Sequence, residues 1–312
     1  MSDAKVLSVN VSEKKGTVKH PVDEILVTET GVMSDAHSGK WHRQVSLLAA
    51  ESVERFSREA KRPIGFGEFA ENITTRGLEL RECGIFDRFR IGDAELELTQ
   101  IGKECHGDSC AIFKEVGNCV MPKEGIFCRV RKTGTIRPGQ EIVHVPKVLR
   151  VLVVTLSDRA SGGEYEDRSG PKVREILDAH FSAGNTKHEI GHALIPDDAE
   201  ALRSLLMAHR TRGTDFVFTT GGTGIGDRDI TVETVSGLLD KQLPGIMELI
   251  RVKYGMENPK ALLSRSVAGV MGETLVYTLP GSVRAVEEYL REIAKTMEHS
   301  LFMLHGIDGQ HA

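Results

Sequence analysis

Residues 215–231 read DFVFTTGGTGIGDRDIT, an apolar run that ends in two threonines and enters a turn rich in glycine. A short, continuous apolar run of this kind is typical of a strand buried on both faces of a parallel sheet. Glycines after such a strand let several backbone N–H groups face one anion, and threonine hydroxyls add further donors. The stretch therefore predicts an α/β fold with an anion-binding turn at the end of a strand.

Three other segments have the pattern of strands, and helical segments alternate with them. The strand segments are LRVLVVTLSD at 149–158, a strand ending in HALIP at 192–196, and ETLVYTLPG at 273–281. An amphipathic helix is expected at 282–303. Strands that alternate with helices predict a doubly wound, mostly parallel α/β sheet, with ligands bound beyond the carboxyl ends of its strands. We assign this domain to residues 148–312.

Polar and glycine residues gather at the four predicted carboxyl ends. The candidate binding residues are Ser157, Asp158, Arg159, Asp197, Thr219, Thr220, Gly221, Gly222, Thr223, Gly224, Asp229, Pro280, Gly281 and Ser282. Their convergence carries more weight than the glycine stretch alone, which lacks the lysine of a P-loop and the spacing of a dinucleotide fingerprint. A tight strand-to-helix turn is the alternative interpretation of that stretch.

Two aspartates decide the chemistry expected at this edge. Asp197 by itself would be read as the cap of a helix over 197–210, and Asp229 as a stabiliser of the next helix start. Two carboxylates beside a phosphate-binding turn would repel an anionic ligand unless a divalent cation lay between them. The sequence therefore predicts Mg²⁺-assisted nucleotidyl transfer, in which catalysis is mostly positioning and charge neutralisation.

The second half also resembles a known family. The phrases VTLSDRASGGEYEDRSGP, LIPDD, TTGGTGIGDRDIT, LPGIMELIR, ALLSRSVAG and LVYTLPGS occur in the order found in molybdopterin adenylyltransferases, over about residues 148–305. The resemblance implies transfer of AMP from ATP to the phosphate of molybdopterin, with release of pyrophosphate. It further implies Mg²⁺ and assembly as a homotrimer.

The resemblance also implies roles for single residues. Asp197 and Asp229 match the two essential acidic positions, and Ser264 in LLSRS matches a serine needed for adenylylation. Residues 219–224 match a phosphate-binding segment, and residues 280–282 match the wall near the adenine. Relatives often have PGNP or PGQP where this chain has PGSV, which is a departure at the edge that meets the purine.

The first half shows short stretches of alternating polarity between glycine and proline residues. These stretches are 6–11, 24–29, 94–99, 125–131 and 141–145. Alternation predicts half-buried strands. A helix is expected at 44–60, where apolar residues form one stripe. Many short strands with one or two helices predict a mostly β domain, a closed or nearly closed β-barrel, over residues 1–147.

The cysteines are confined to this half: Cys83, Cys105, Cys110, Cys119 and Cys128. An odd number in a chain that opens without an export signal favours buried, reactive or metal-bound thiols over disulfides. Cys105 follows a predicted strand among glycines and cations that would stabilise a thiolate. A zinc site is the alternative for Cys105, His106, Cys110 and Cys119, although their spacing misses the C-x₂-C pairing of zinc modules. Cys83 and Cys128 are expected to be simply buried.

This half resembles the MOSC domain, named for the C-terminal part of molybdenum-cofactor sulfurases. The phrases that carry the resemblance are DAHSGKWHRQVSLLA, GEFAENITTRGLEL, GDAELELTQIGKECH and GIFCRVRKTGTIRPGQEI, over about residues 5–145. The family implies a β-barrel with a cysteine that carries or accepts sulfur, or contacts the cofactor, and Cys105 matches it. Ser34 stands where relatives commonly have glycine.

Composition and charge exclude several classes of protein. The chain is 40% hydrophobic and 27% charged, without an apolar run long enough to span a membrane, which excludes a disordered or membrane protein. Residues 1–147 carry 22 basic and 22 acidic side chains and residues 148–312 carry 18 and 23, a balance that does not favour nucleic acid. The opening MSDAKVLSVNVSEKKG lacks an apolar signal region, so we expect a cytoplasmic protein.

Two functions of different classes remain open at this point. One is a bifunctional enzyme of molybdenum- or tungsten-cofactor synthesis, with ATP and molybdopterin as substrates. Its N-terminal domain would bind the cofactor or transfer sulfur through Cys105, in contact with a sulfur donor or a molybdenum-insertion protein. The other is a carrier that binds molybdopterin without chemistry. The presence of Asp197, Asp229 and Ser264 together favours the enzyme.

Overall fold

The computed structural model describes residues 4–102, 120–184 and 186–307, and these fall into two compact units that meet in sequence between Lys147 and Val148. In the part of the chain that the structure describes, we find no helix long and apolar enough to cross a membrane.

The N-terminal unit is built mainly from short strands. Its strands are β1 (Lys5–Val11), β2 (His20–Val22), β3 (Ile25–Thr28), β4 (Gly31–Val32), β5 (Val45–Ala49), β6 (Ile73–Arg76), β7 (Arg88–Ile91), β8 (Ala94–Ile101), β9 (Ile126–Lys132), β10 (Gly134–Ile136) and β11 (Val143–Val145). Its helices are α1 (Ala50–Glu59) and the single turn α2 (Met121–Glu124), with a 3-10 turn at Leu80–Glu82.

These strands form one long sheet and one small sheet. The long sheet runs β11-β7-β8-β9-β5-β6-β1-β2, and β10, β3 and β4 form the small one. Backbone hydrogen bonds also join β1 to the segment before β11, from Val6 N–H to the Gln140 carbonyl and from Ile142 N–H to the Ala4 carbonyl. The sheet therefore curls around an apolar core.

The prediction of one helix over 44–60 is wrong in its first part. Residues Val45–Ala49 form a strand whose five side chains are all buried, and α1 begins only at Ala50. Val45, Leu47 and Ala49 pack in the core of the sheet, while Leu48 joins Val53 and Phe56 in a second cluster. The apolar stripe in the sequence thus joins a fully buried strand to an amphipathic helix.

The C-terminal unit alternates strands and helices. Its strands are β12 (Leu149–Leu156), β13 (His188–Ile195), β14 (Phe216–Thr220), β15 (Lys241–Gln242), β16 (Ala268–Met271) and β17 (Thr274–Leu279). Its helices are α3 (Asp158–Ser161), α4 (Ser169–Ala183), α5 (Ala199–Thr211), α6 (Thr231–Ser236), α7 (Pro244–Glu257) and α8 (Val283–Leu304).

The six strands form a sheet in the order β13-β12-β14-β17-β16-β15. The first four are parallel, and β16 and β15 add an antiparallel edge. Side chains of α5 and α6 pack on one face of the sheet, whereas Phe181 of α4 contacts Phe216 on the other. The four parallel strands point their carboxyl ends toward one edge of the sheet.

The predicted cap at Asp197 is wrong. Asp198 caps α5, because its carboxylate accepts the Ala201 N–H at 2.7 Å. Helix α8 begins as expected, with the Ser282 hydroxyl accepting the Ala285 N–H. Asp197 does not cap the helix and lies instead at the edge of the sheet where the parallel strands end.

Candidate functional site

A cavity of about 690 Å³ lies at the carboxyl ends of the parallel strands in the C-terminal unit. Ser157 follows β12, Asp197 follows β13, the glycine turn follows β14, and Pro280 follows β17. The residues that line the cavity are Leu156, Ser157, Asp158, Arg159, Tyr165, Asp197, Gly221, Gly222, Thr223, Gly224, Arg228, Asp229, Lys260, Leu263, Ser264, Pro280, Gly281 and Ser282. Most of the site residues expected from the sequence are thus brought together.

Thr219 and Thr220 are placed differently from the other predicted binding residues. Both are fully buried inside β14 and are not among the residues that line the cavity. The Thr220 hydroxyl donates to the Pro280 carbonyl at 3.0 Å. Thr220 therefore joins the ends of β14 and β17 beneath the site. Cys105, His106, Cys110 and Cys119 lie outside the described residues.

The turn after β14 has a shape that only glycine adopts readily. Gly221 has a φ of +102°, and a Cβ atom there would lie 2.3 Å from the Leu156 carbonyl oxygen. Gly222 has a φ of +62°, and its Cβ would lie 2.4 Å from the Thr231 hydroxyl. Positive φ and close backbone approach are the conditions that glycine satisfies without steric strain.

The carbonyl groups of residues 221–224 all accept hydrogen bonds. Thr231 bonds the first two, because its hydroxyl donates to the Gly221 carbonyl at 2.9 Å and its N–H to that of Gly222 at 3.1 Å. Arg265 bonds the next two, through its N–H to the Thr223 carbonyl at 3.1 Å and its Nε to that of Gly224 at 2.6 Å. The N–H groups of Gly222, Thr223 and Gly224 have no acceptor among the described residues, and they suit an anion.

Two aspartates tie the ends of β12 and β13 to each other. The Asp158 N–H donates to Asp197 Oδ2, and the Asp197 N–H donates to Asp158 Oδ1, both at 3.0 Å. Asp158 also pairs with the guanidinium of Arg228. The Asp197 N–H and the Arg228 guanidinium together hold the pKa of Asp158 below its usual value. Asp158 is thus an ionised counter-charge for Arg228.

Asp229 and Ser264 approach the cavity from two further segments. Asp229 Oδ2 accepts the Gly226 N–H at 2.8 Å, and this carboxylate lies against Gly224. The Ser264 hydroxyl lies 3.0 Å from that of Ser266, in the turn after Pro259–Leu263. Arg251 supports this turn by donating to the Ser266 carbonyl at 3.0 Å. Three carboxylates, the Ser264 hydroxyl and the open backbone amides of the glycine turn therefore line the same cavity.

Sequence reasoning missed three polar side chains of this cavity, Tyr165, Arg228 and Lys260, and two apolar ones, Leu156 and Leu263. The Tyr165 hydroxyl lies 2.9 Å from the Ser157 hydroxyl. The Arg159 guanidinium lies 5.1 Å from the centre of the Tyr165 ring. Arg228 stands between two aspartates of the quoted stretch, a signal that could have identified it. Lys260 has no such signal in the sequence, because it lies after α7, far along the chain from the glycine turn.

In the N-terminal unit, buried contacts fix the turn that carries His37. Asp35 accepts N–H groups of Ser12 and His37 at 3.0 and 2.9 Å, and the Lys19 ammonium lies 2.5 Å from the same carboxylate. Burial acts to raise the pKa of Asp35. The hydrogen bonds from His37 and Lys19 lower it by more, so the pKa of Asp35 lies below its usual value. The turn that carries His37 is therefore held by a buried ion pair between Lys19 and Asp35.

Cys83 and Cys128 are both buried. The thiol of Cys83 lies within 4.8 Å of ligand atoms of Asp87 and His144. Both oxygens of Asp87 already accept hydrogen bonds, one from the Lys147 N–H at 2.7 Å and the other from the Gly84 N–H at 2.9 Å, and His144 Nε2 lies 2.6 Å from the latter oxygen. These bonds tie β11 to the turn before β7.

Comparison with known proteins divides the chain in the same way. Residues 152–299 match the family model described as a probable molybdopterin binding domain, and residues 34–143 match the MOSC domain. The molybdenum cofactor biosynthesis protein B of Bacillus cereus is 37% identical over 168 residues, which cover 52% of this chain and 94% of that protein.

Two further proteins add to this comparison. The molybdopterin adenylyltransferase of Pyrococcus furiosus is 38% identical over 164 residues, covering 51% of this chain and 92% of that protein. The solved structure of a molybdopterin biosynthesis enzyme from Thermus thermophilus is 35% identical, covers 51% of this chain and 98% of its own, and has a TM-score of 0.47. By its C-terminal half the chain belongs to the family of molybdenum cofactor biosynthesis protein B and molybdopterin adenylyltransferase, and its N-terminal half carries a MOSC domain.

Proposed function

We propose that the C-terminal unit transfers AMP from ATP to the phosphate of molybdopterin and releases pyrophosphate. The observation that carries the proposal is the turn after β14: Thr231 and Arg265 engage the carbonyl groups of residues 221–224, while the amides of residues 222–224 stay open beside Asp197 and Asp229. The adenylyltransferase name of the relative from Pyrococcus furiosus supports this assignment.

The donor set fits a magnesium ion. Asp197 and Asp229 each use Oδ2 in a hydrogen bond to a backbone amide, which leaves Oδ1 of each as a hard oxygen ligand. When bound, Mg²⁺ would neutralise charge on the phosphates of the nucleotide. The amides of the glycine turn would complement it by donating hydrogen bonds to phosphate oxygens.

The remaining residues of the cavity have roles that follow from their chemistry. Arg228 and Lys260 supply positive charge for phosphate groups, as expected for phosphoryl-transfer sites. Ser264 would orient the attacking phosphate of molybdopterin by a hydrogen bond. Residues 280–282 form the wall that we assign to the adenine. In this scheme the enzyme accelerates the reaction by holding two anionic substrates in line.

For the N-terminal unit, we propose that the curled sheet closes as a barrel and binds the same cofactor or transfers sulfur through Cys105. The backbone bonds of Val6 and Ile142 to the facing segment support closure. We further propose that the protein acts in the cytoplasm with a sulfur donor or a molybdenum-insertion protein. Measuring cofactor binding and sulfur transfer by Cys105→Ala tests this role, which fails if both are unchanged.

We also propose a homotrimer assembled through the C-terminal unit. Helix α7 exposes Leu249, Val252 and Met256, which share one face by their spacing, and an exposed apolar stripe of this kind is typical of a subunit contact. Light scattering after gel filtration should give three chains per particle. A single chain at micromolar concentration would contradict the trimer.

The roles of the two aspartates can be tested with charge-neutral variants of the full chain. We expect Asp197→Asn and Asp229→Asn to lower kcat by about 100-fold or more, because the amide keeps one acceptor but loses the charge that holds a cation. Asp227→Asn is the matched control, since this exposed carboxylate of the same loop is not among the cavity-lining residues. Pyrophosphate release with ATP, Mg²⁺ and molybdopterin measures the rate.

Three outcomes distinguish the alternatives. Loss of activity in the two variants and not in the control supports the proposed site. Equal activity in all of them would contradict it. If the wild-type chain binds molybdopterin but consumes no ATP, the protein is a carrier and not an adenylyltransferase.

A further inference from the structure

We propose that Arg265 is the positioning residue of the nucleotide site, because it holds the phosphate-binding turn and the Asp229 segment in fixed register. This inference rests on the function proposed above and extends it to a side chain outside the cavity lining. Arg265 directly follows Ser264 in sequence, yet its side chain is directed to two parts of the loop between β14 and α6, at Gly224 and at Asp229.

A single guanidinium bonds both the start and the end of this loop. Its Nε donates to the Gly224 carbonyl at 2.6 Å, and its Nη2 donates to the Asp229 carbonyl at 3.1 Å. The backbone N–H of the same residue donates to the Thr223 carbonyl at 3.1 Å. The turn that binds phosphate and the residue assigned to the cation are therefore connected through one side chain.

Glu233 sets the direction of the guanidinium. Its carboxylate pairs with Nη1 and also accepts from Nη2 at 3.3 Å, from a position in α6. The Arg265 and Glu233 side chains are 36% and 61% exposed, so the ion pair by itself contributes little stability. Its effect is to orient the guanidinium, since the planar guanidinium has donors in a fixed fork that reach two carbonyls and a carboxylate at once.

The bonds to the carbonyls determine which groups face the ligand. A peptide unit whose carbonyl is held on one side presents the N–H of the following residue on the other. The Thr223 bond therefore orients the Gly224 N–H, and loss of the Gly224 bond frees the adjoining peptide unit to rotate. Misplacement of about 1 Å in a site that works by alignment costs on the order of 100-fold in rate. Arg265 thus acts through Gly224 and Asp229 without touching the reacting atoms.

The test compares Arg265→Ala and Arg265→Lys with Arg210→Ala in the full chain. Arg210 is the matched control because it makes a similar exposed pair, to Asp240 at 3.0 Å, away from the cavity. We expect Arg265→Ala to lower kcat/KM for ATP by about 10- to 100-fold. Lysine should restore part of this loss, since a compact ammonium can reach the Gly224 or the Asp229 carbonyl but cannot span both as the guanidinium does.

Hydrogen exchange gives a second measurement that does not depend on activity. Amides of residues 221–231 should exchange faster in Arg265→Ala than in the wild type, with no change in Arg210→Ala. Glu233→Gln should show a smaller change in the same direction, because it keeps the carbonyl bonds of the guanidinium. Thermal unfolding of each variant confirms that the assays compare folded proteins.

The outcomes separate this inference from the proposed function. Unchanged exchange and unchanged kcat/KM in Arg265→Ala would overturn the role of Arg265, even if the wild type is an active enzyme. If the wild type neither binds ATP nor releases pyrophosphate, the nucleotide site fails together with the proposed function. Faster exchange together with a specific loss in kcat/KM supports the inference.

Discussion

At Gly221 the chain leaves the sheet with a φ of +102°, and an added methyl group would lie 2.3 Å from the Leu156 carbonyl oxygen. We expect Gly221→Ala to move the turn and to lower both stability and ATP affinity, by about 1–3 kcal/mol in unfolding free energy. Thermal unfolding and ATP titration of the full chain measure the two effects.

Gly213→Ala is the matched control for this substitution. Gly213 also has a positive φ, of +70°, but nothing lies within 4 Å of its Cβ position. The Gly213→Ala substitution therefore has the cost of a positive φ but no close contact. It should lower the free energy of unfolding by about 1 kcal/mol and leave ATP affinity unchanged. Equal effects of the two substitutions on ATP affinity would show that the close approach at Gly221 has no role.

Single residues also show what a sequence can and cannot predict. The glycines of the turn are predictable because their need for positive φ is a local property of the backbone. Asp197 and Asp198 are adjacent carboxylates with the same capping propensity, and the structure assigns the cap to Asp198. Only the position of β13 relative to α5 decides between them, and that is a property of the fold.

Helices α7 and α8 are joined by a carboxylate that is nearly out of contact with water. Glu292 is 5% exposed and accepts from Lys253 at 2.7 Å, Lys295 at 2.6 Å and the Tyr254 hydroxyl at 3.2 Å. The bonds from Lys253 and Lys295 lower the pKa of Glu292 to about 2. The folded state therefore favours the ionised carboxylate more strongly than the unfolded chain does.

This shift predicts how stability depends on pH. A carboxyl group whose pKa is lowered on folding contributes stability above its unfolded value of 4.5, and loses it as the pH falls toward 2. We expect Glu292→Gln to cost about 1 kcal/mol at pH 7, since both lysines are half-exposed and partly screened. The free energies of unfolding of the wild type and of Glu292→Gln should converge as the pH falls from 5 to about 2.

Glu288→Gln is the control on the same helix. Glu288 pairs with Arg284 four residues earlier on α8, and the Arg284 side chain is largely exposed. Such a pair is worth at most about 0.5 kcal/mol. A loss for Glu292→Gln that is no larger than for Glu288→Gln, or that is independent of pH, would contradict the assigned role of Glu292.

The sequence predicts strands and helices best where one pattern of polar and apolar residues continues along the whole element. The strands β12, β14 and β17 and the helix α8 follow directly from continuous apolar runs and from a long amphipathic pattern. Residues Val45–Ala49 were misassigned because a short apolar run fits a buried strand and a buried helix equally well. Pairing with β9 and β6, which is not visible in the local sequence, decides for the strand.

Across the whole molecule, the C-terminal unit holds its own candidate site without any cysteine. We therefore expect Cys105→Ala in the full chain to leave the rate of adenylyl transfer unchanged within about twofold, since the proposed chemistry uses carboxylates, amides and a cation. Cys128→Ser serves as a second variant at a buried cysteine. A large loss of transfer in Cys105→Ala alone would show that the thiol takes part in it.

At this scale the sequence predicts that strand ends converge, but not which loops complete the cavity. Tyr165 and Lys260 reach it from segments before α4 and after α7, which no periodicity connects with the glycine turn. The positions of such residues depend on how the loops are supported, and supports such as Arg265 appear only in three dimensions.

The most direct measurement follows the α-phosphate of ATP. The full chain is incubated with Mg²⁺, molybdopterin and ATP labelled at the α-phosphate, and the pterin product is analysed by mass spectrometry. The account predicts labelled adenylyl-molybdopterin and one pyrophosphate for each molecule formed. Folded wild-type protein that binds molybdopterin but leaves all of the label in ATP would contradict it.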